Sequence, residues 1–229
     1  MRTAPTLSTL SRSPLLEGLP EESLAQIAAG ARRRSYRRGE VLFHQGDPGD
    51  ALLILESGAV KVVVYSEAGD ETVLAVLGAG ESFGELALID GEARSATVQA
   101  LEAVEALSIR RDAFMQVVRS HPPTVERLLA ALATKIRYLS NTVSDLAFLN
   151  LESRLAKKLL ELAAERGKEV NGATEIQLAL TQEELAGMVG ATRASVNKVL
   201  GWYEDRGLIS RTGRRIVVRD PEKLRARIT

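Results

Sequence analysis

Two short stretches carry nearly all the side chains able to do specific chemistry. The first, "FGELALIDGEARSATV" (residues 83–98), sets Gly84-Glu85 and Arg94-Ser95 inside an apolar run. Arginine is almost never buried without a partner. Arg94 therefore sits either at a turn exit facing water or where something anionic meets it. The second stretch, residues 182–201, carries Arg193, Ser195, Asn197 and Lys198 close together. These side chains hydrogen-bond base edges and phosphate oxygens. Elsewhere reactive groups are scarce. With no cysteine, disulfides, thiolate-held clusters, zinc fingers and cysteine nucleophiles are excluded. His44 and His121 lie in no metal-spacing motif, so no metal is expected. Glu85 has no second carboxylate or nucleophile–base pair converging on it, so no enzyme is expected.

The second stretch must be positioned by two short helices. Leu185, Val189, Val196 and Val199 fall where the helices share a core, and Ala186 is small where they approach. Gly190 permits the turn between them. Thr181 with Glu184 reads as a capping box, and Thr192 as the cap of the second helix. A hairpin follows, "LISRTGRRIVV", with Thr212-Gly213 as its turn and Arg211, Arg214 and Arg215 around it. Residues 187–219 hold seven basic and two acidic side chains. Together these features predict a winged helix-turn-helix that binds double-stranded DNA.

The first stretch lies in a different setting. From about Arg32 to Arg110, apolar runs of roughly five to eight residues alternate with glycine turns, the pattern of an antiparallel β-sandwich or roll. Leu24, Ile27 and Ala28 mark a helix before it, and "RDAFMQVVRSH" a short helix after it that stops at Pro122-Pro123. Next comes a long helix, about Thr124 to Asn150, with Val125, Leu129, Leu132, Ile136, Leu139, Val143 and Leu146 at alternating intervals of four and three. Leu129, Ile136 and Val143 take heptad position a; Leu132, Leu139 and Leu146 take d. The flanking e positions hold Ala133, Ser140 and Ala147, and g holds Leu128, Lys135 and Thr142. So narrow a seam predicts a parallel homodimer through residues 124–150 rather than a helix lying on its own domain. Beyond it, "ESRLAKKLLELAAERG" reads as a helix capped by Asn150 and ending at Gly167, and "EIQLAL" as a short strand.

At 229 residues, 45% apolar and 26% charged, the chain has the profile of a globular protein with room for two domains. The net charge of zero is unevenly shared. Residues 1–150 hold 15 basic and 19 acidic side chains, and residues 151–229 hold 15 and 11, which turns the basic end toward a polyanion. "MRTAPTLSTLSRSP" reads as a frayed start without a secretory signal. No run approaches a membrane span, so a cytoplasmic protein with no membrane partner is expected.

A β-roll, a dimer helix and a winged helix in that order resemble the cyclic-AMP receptor (catabolite activator) and fumarate-nitrate regulator superfamily of bacterial transcription regulators. The resemblance runs from about Leu15 to Arg219, on "FGELALIDGEARSATV", "DLAFLNLESRLAKKLLELA" and the helix-turn-helix. It implies an α+β protein: an N-terminal antiparallel, jelly-roll-like cyclic-nucleotide-binding β-roll (1–123), a dimerisation helix and hinge (124–150), and a winged helix-turn-helix (151–229). Gly84, Glu85, Leu86, Arg94, Ser95 and Ala96 match the family's phosphate-binding cassette. Arg94, Ser95 and helix-start amides would then hold a cyclic phosphate, and Glu85 the ribose 2′-hydroxyl. The family's adenine-reading threonine and serine fall on Leu139 and Ser140, and the leucine cannot hydrogen-bond a purine amine. Ser140 and Thr142 remain for the base, while Asn141 points away. Cyclic AMP is the expected effector, with cyclic GMP second and no cofactor. The lack of cysteine argues against the cluster-bearing oxygen sensors.

On DNA, Arg193 matches a family arginine that pairs with guanine, and Lys198 matches another family arginine. Ala194 replaces a family glutamate. Thr181 and Thr192 would touch phosphates, and Arg214 belongs to the wing's DNA contacts. The resemblance also implies an inverted-repeat operator, with recognition helices ~34 Å apart, and RNA polymerase as a partner. The alternative is a ligand-independent regulator of the same family with a vestigial or retuned pocket, which Leu139 favours.

Overall fold

The computed structural model describes residues 7–228. By backbone packing the chain forms two compact units. One takes in the chain to Val64 together with Leu74–Arg137; the other takes in Tyr65–Val73 together with the chain from Tyr138 onward.

The first unit begins with helices α1 (Leu7–Arg12) and α2 (Glu21–Gly30). Residues 1–6 of the expected frayed start lie outside the described residues. From Leu7 that expectation is corrected, because Leu10 is fully buried and holds the helical turn against the core. Strands follow along the chain: β1 (Arg32–Tyr36), β2 (Val41–Phe43), β3 (Ala51–Ser57), β4 (Val60–Tyr65), β5 (Glu71–Leu77) and β6 (Ser82–Phe83), of which Tyr65 and Glu71–Val73 are grouped with the second unit. Helix α3 (Glu85–Asp90) then precedes β7 (Thr97–Ala100), β8 (Val104–Arg110) and helix α4 (Arg111–Ser120). The strands form two four-stranded sheets, ordered β1-β8-β3-β6 and β2-β7-β4-β5. The described pairings are antiparallel, as the glycine-punctuated runs require.

Strand β3 shows how the layers are glued. Ala51 to Leu55 are all buried, which a period of two resolves into two cores. Leu53 and Leu55 face the other sheet and join Val60, Phe83, Val98 and Val104. Leu52 and Ile54 face the helices and join Leu10, Leu16, Ile27, Phe114 and Val117.

Helix α5 runs from Pro122 to Phe148, two residues earlier at each end than the spacing predicts. The two prolines do not merely stop α4, which ends at Ser120; they open α5, where proline's missing N–H costs nothing. Leu128 is buried in the first unit's helix-side core. The heptad a positions are open: Leu129, Ile136 and Val143 are 61%, 64% and 65% exposed in the single chain.

In the second unit, α6 (Leu151–Arg166) starts where Asn150 Oδ1 accepts the Ser153 amide at 2.8 Å. Then come β9 (Gly167–Val170), β10 (Ala173–Ile176), α7 (Gln182–Val189), α8 (Arg193–Asp205), β11 (Ile209–Thr212), β12 (Arg215–Val218) and α9 (Pro221–Arg225). The sheet order is β11-β12-β10-β9. Three expectations are corrected here. Gly167 ends α6 but begins the unpredicted strand β9. The strand read over "EIQLAL" is Ala173–Ile176. The wing turns at Gly213-Arg214 rather than Thr212-Gly213, because Thr212 pairs with Arg215.

Candidate functional site

Glu85, Leu86 and Arg94 are brought together by α3 and the loop after it. Gly84 caps α3 in the left-handed region, with φ 84°. A Cβ there would stand 2.4 Å from Arg94 Nη1, so glycine is required both by the backbone and by the arginine laid across it. The Arg94 main chain is pinned to the preceding loop: its N–H donates to Asp47 O and its carbonyl accepts from Gly46, both at 2.9 Å. Arg111 Nε donates to Leu88 O and ties down the far end of α3.

Arg94 is 5% exposed, so the turn-exit reading fails. Its Nη1 donates to Gly84 O at 2.8 Å, its Nη2 to Ala51 O at 2.7 Å, and its guanidinium lies 4.2 Å from the centroid of the Phe43 ring. Nε is buried with no partner. Burial pulls this guanidinium below the ordinary arginine value, and Asp50, Glu85 and Asp47 partly offset the pull. Glu85 is also buried. Lys135 Nζ, on α5, donates to its Oε1 at 2.6 Å, while Oε2 is buried without a partner. Ser95 and Leu86 are exposed beside these groups in sequence. A cavity of about 340 Å³ next to α3 is lined by Gly46, Gly49, Asp50, Glu92 and Arg111, and not by Glu85, Arg94 or Ser95.

Sequence reasoning missed Lys135 as a partner of the cassette. The available signal was a charged residue at g, the flank of the helix that can face its own domain. Of the residues proposed for the base, Leu139 and Ser140 are exposed on α5. Thr142 is half-buried, its hydroxyl donating to Tyr138 O at 3.0 Å.

The helix-turn-helix is built as its caps require. Thr181 Oγ1 accepts the Glu184 amide at 3.1 Å, and Glu184 Oε2 accepts the Thr181 amide at 2.6 Å. Thr192 Oγ1 accepts the Ser195 amide at 3.2 Å and donates to Ser195 Oγ at 2.9 Å. Gly190 turns the chain at φ 61°, where a Cβ would press to 2.9 Å on Leu146 Cδ2. Val196 is fully buried, and Leu185, Ala186 and Val189 nearly so. That leaves Arg193, Asn197 and Lys198 exposed on α8 and Arg214 exposed at the wing tip. Among the described residues, no carboxylate pairs with Arg193, Lys198 or Arg214. Two wing cations differ from Arg214: Arg211 Nη2 meets Glu204 Oε2 at 2.5 Å, which neutralises its charge, and the exposed Arg215 lies 3.6 Å from Glu175. The Arg211 guanidinium holds the Glu204 carboxyl below its ordinary value. The arrangement offers unpaired cations and hydrogen-bond donors on one helix and an adjoining turn, the requirement for gripping phosphates and reading a groove.

Residues 33–121 match the family model described as a cyclic nucleotide-binding domain, and residues 153–227 the one described as a Crp-like helix-turn-helix domain. A CRP-like cAMP-activated global transcriptional regulator of Mycobacterium tuberculosis is 35% identical over 218 residues, covering 95% of this chain and 97% of that protein. The cAMP-activated global transcriptional regulator CRP of Escherichia coli is 35% identical over 187 residues, covering 80% of this chain and 87% of that one. The solved structure of the c-di-GMP responsive global regulator CLP of Xanthomonas campestris superposes with a TM-score of 0.74 at 26% identity. It covers 87% of this chain and 99% of that one. No described helix is long and apolar enough to cross a membrane.

Proposed function

The chain belongs to the cyclic-AMP receptor family of transcription regulators, with a cyclic-nucleotide-binding domain and a helix-turn-helix DNA-binding domain, and from that premise we propose that it is a cytoplasmic homodimer controlled by cyclic AMP. One observation carries the ligand reading. Among the described residues, four buried side-chain polar atoms lack a hydrogen-bond partner, and two of them are Glu85 Oε2 and Arg94 Nε. Buried polar atoms are normally satisfied, so an unpaired acceptor and an unpaired donor in one cassette point to a ligand carrying their complements. A ribose 2′-hydroxyl complements the first and a cyclic phosphate the second. Lys135 fixes the Glu85 carboxylate by its other oxygen. Ser95 and the first amides of α3 complete the phosphate cradle.

The division of labour follows: residues 1–123 sense, 124–150 dimerise and 151–229 bind DNA. The exposed a and d residues of α5 meet their copies in a second chain, where Ser140 and Thr142 are the polar groups left for the base. The ligand then shifts the dimer between two arrangements by its difference in affinity for them. In the favoured arrangement both α8 helices enter successive major grooves of an inverted repeat. Arg193, Ser195, Asn197, Lys198, Thr181, Thr192 and Arg214 contact DNA, and RNA polymerase is recruited beside it.

Calorimetry with cyclic AMP, cyclic GMP and cyclic di-GMP, on the wild type and on Arg94→Ala, tests the ligand. Hydrogen bonds to a charged group contribute about 1.5–3 kcal/mol, so the variant should bind cyclic AMP roughly 10- to 150-fold more weakly. Undiminished binding would remove the cassette from the proposal. A second reading, a regulator that needs no ligand, draws support from Leu139 and from Arg94, whose two terminal nitrogens already have main-chain partners. Operator affinity identical with and without each nucleotide would favour it.

A further inference from the structure

Asn197 is an exposed residue of α8 whose amide is locked from both sides. Its Oδ1 accepts from Gln182 Nε2, on α7, at 3.0 Å and from Arg211 Nη1, on β11, at 3.1 Å. A guanidinium can only donate, so oxygen and not nitrogen must face Arg211, and the amide cannot flip without opposing donor to donor. Arg211 is itself held by Glu204, which accepts its side chain at 2.5 Å and its main-chain amide at 2.9 Å. An amide oxygen has two lone pairs, and both are taken. What Asn197 has left is Nδ2 with two hydrogens, which no acceptor meets among the described residues.

This changes what Asn197 can read. An asparagine recognises adenine with both ends of its amide, the oxygen taking the N6 hydrogen and the nitrogen donating to N7. With its oxygen occupied, Asn197 lacks half of that pattern. We infer that Gln182, Arg211 and Glu204 are positioning residues that make Asn197 a donor-only reader, selecting guanine and rejecting adenine at one base pair of the half-site. Guanine presents two neighbouring acceptors, O6 and N7, that one NH₂ group can bridge. Ala194, exposed and three positions earlier on α8, carries no polar group and does not compete for that base. The inference rests on the DNA-binding reading above, but it concerns an interaction between two helices and the wing rather than the family cassette.

The test measures full-length protein, with and without cyclic AMP, against operators bearing each of the four bases at every half-site position. Arg193→Ala identifies the position read by Arg193. At another position the wild type should prefer guanine over adenine by about tenfold or more. Asn197→Ala should flatten that position alone. The double variant Gln182→Ala/Arg211→Met frees Oδ1 and should raise adenine there toward parity with guanine. Asn197→Asp keeps an acceptor for Gln182 and Arg211 but reverses the outward group. It should melt no earlier than the wild type and move the preference to cytosine, whose N4 amine donates. Affinity falling by one common factor for all bases would mean a phosphate contact or a simple brace and would overturn the inference, as would an unchanged profile in Asn197→Ala. Wild-type protein showing no base preference anywhere would fail earlier, taking the DNA-reading proposal and this inference together.

Discussion

The cassette around α3 and the helix-turn-helix with its wing both present cations, but they hold them in opposite ways. Arg94 is buried, fastened to Gly84 O and Ala51 O, and shielded by Phe43. Arg193, Lys198 and Arg214 stand in solvent. The contrast fits the different sizes of the two proposed partners. A single small anion repays desolvation only if its donors are preorganised away from water. A duplex presents a line of charges that exposed cations neutralise by releasing counterions. Buried polar atoms therefore advertise a missing partner as an unsatisfied group, whereas exposed ones advertise it only as unpaired charge.

Salt should separate the two regions most sharply. If the dimer neutralises six to ten phosphates, operator affinity should fall about 10³- to 10⁵-fold between 50 and 200 mM salt. Cyclic AMP affinity measured over the same range should change far less, since Arg94 is screened by protein. Equal salt slopes would erase the distinction. A smaller effect is expected for Lys135→Met, which leaves Glu85 buried without its cation. Because the lysine is 43% exposed, the loss should be about 1–2 kcal/mol in urea denaturation.

The smallest effect concerns the exposed region. Glu204 titrates lower in the folded chain than its ordinary value of 4.5, chiefly through its hydrogen bond to Arg211. The folded state thus binds this proton less readily. The pair stabilises above the ordinary value, and that contribution is lost as pH falls through the depressed one. Comparing acid denaturation of wild type and Glu204→Gln should show a slightly shallower pH dependence in the variant, and identical curves would deny the pair any role.

How much of this was legible in the sequence depends on how far apart the partners lie. Gly84, Glu85, Arg94 and Ser95 fall within twelve residues, and their crowding into an apolar run was readable at once. Thr181 with Glu184, Thr192 with Ser195, and Asn150 with Ser153 were readable because capping is a three-residue rule. Lys135 lies fifty residues from Glu85, and only the fold joins them. Arg211 was grouped with the wing's cations because Arg214 and Arg215 follow it across the same turn, yet its closest companion is a glutamate on the preceding helix. Strand β9 escaped because "GKEV" is exposed throughout and its pairing comes entirely from β10. Helix α1 is only six residues long and shows its apolar face in one leucine.

The double-sided burial of β3 has a consequence for how the N-terminal unit assembles. A ribbon with leucine or isoleucine on both faces cannot distinguish them by greasiness, so sliding it one position would still bury four large aliphatics. Its penultimate residue resists such a slip. Glu56 receives two hydrogen bonds from Arg33, at 2.5 and 2.8 Å, and moving it inward would strand a carboxylate in oil. Alignment of the central ribbon is thus policed by one acid at its margin, and neutralising that acid is where mis-threaded molecules should first accumulate.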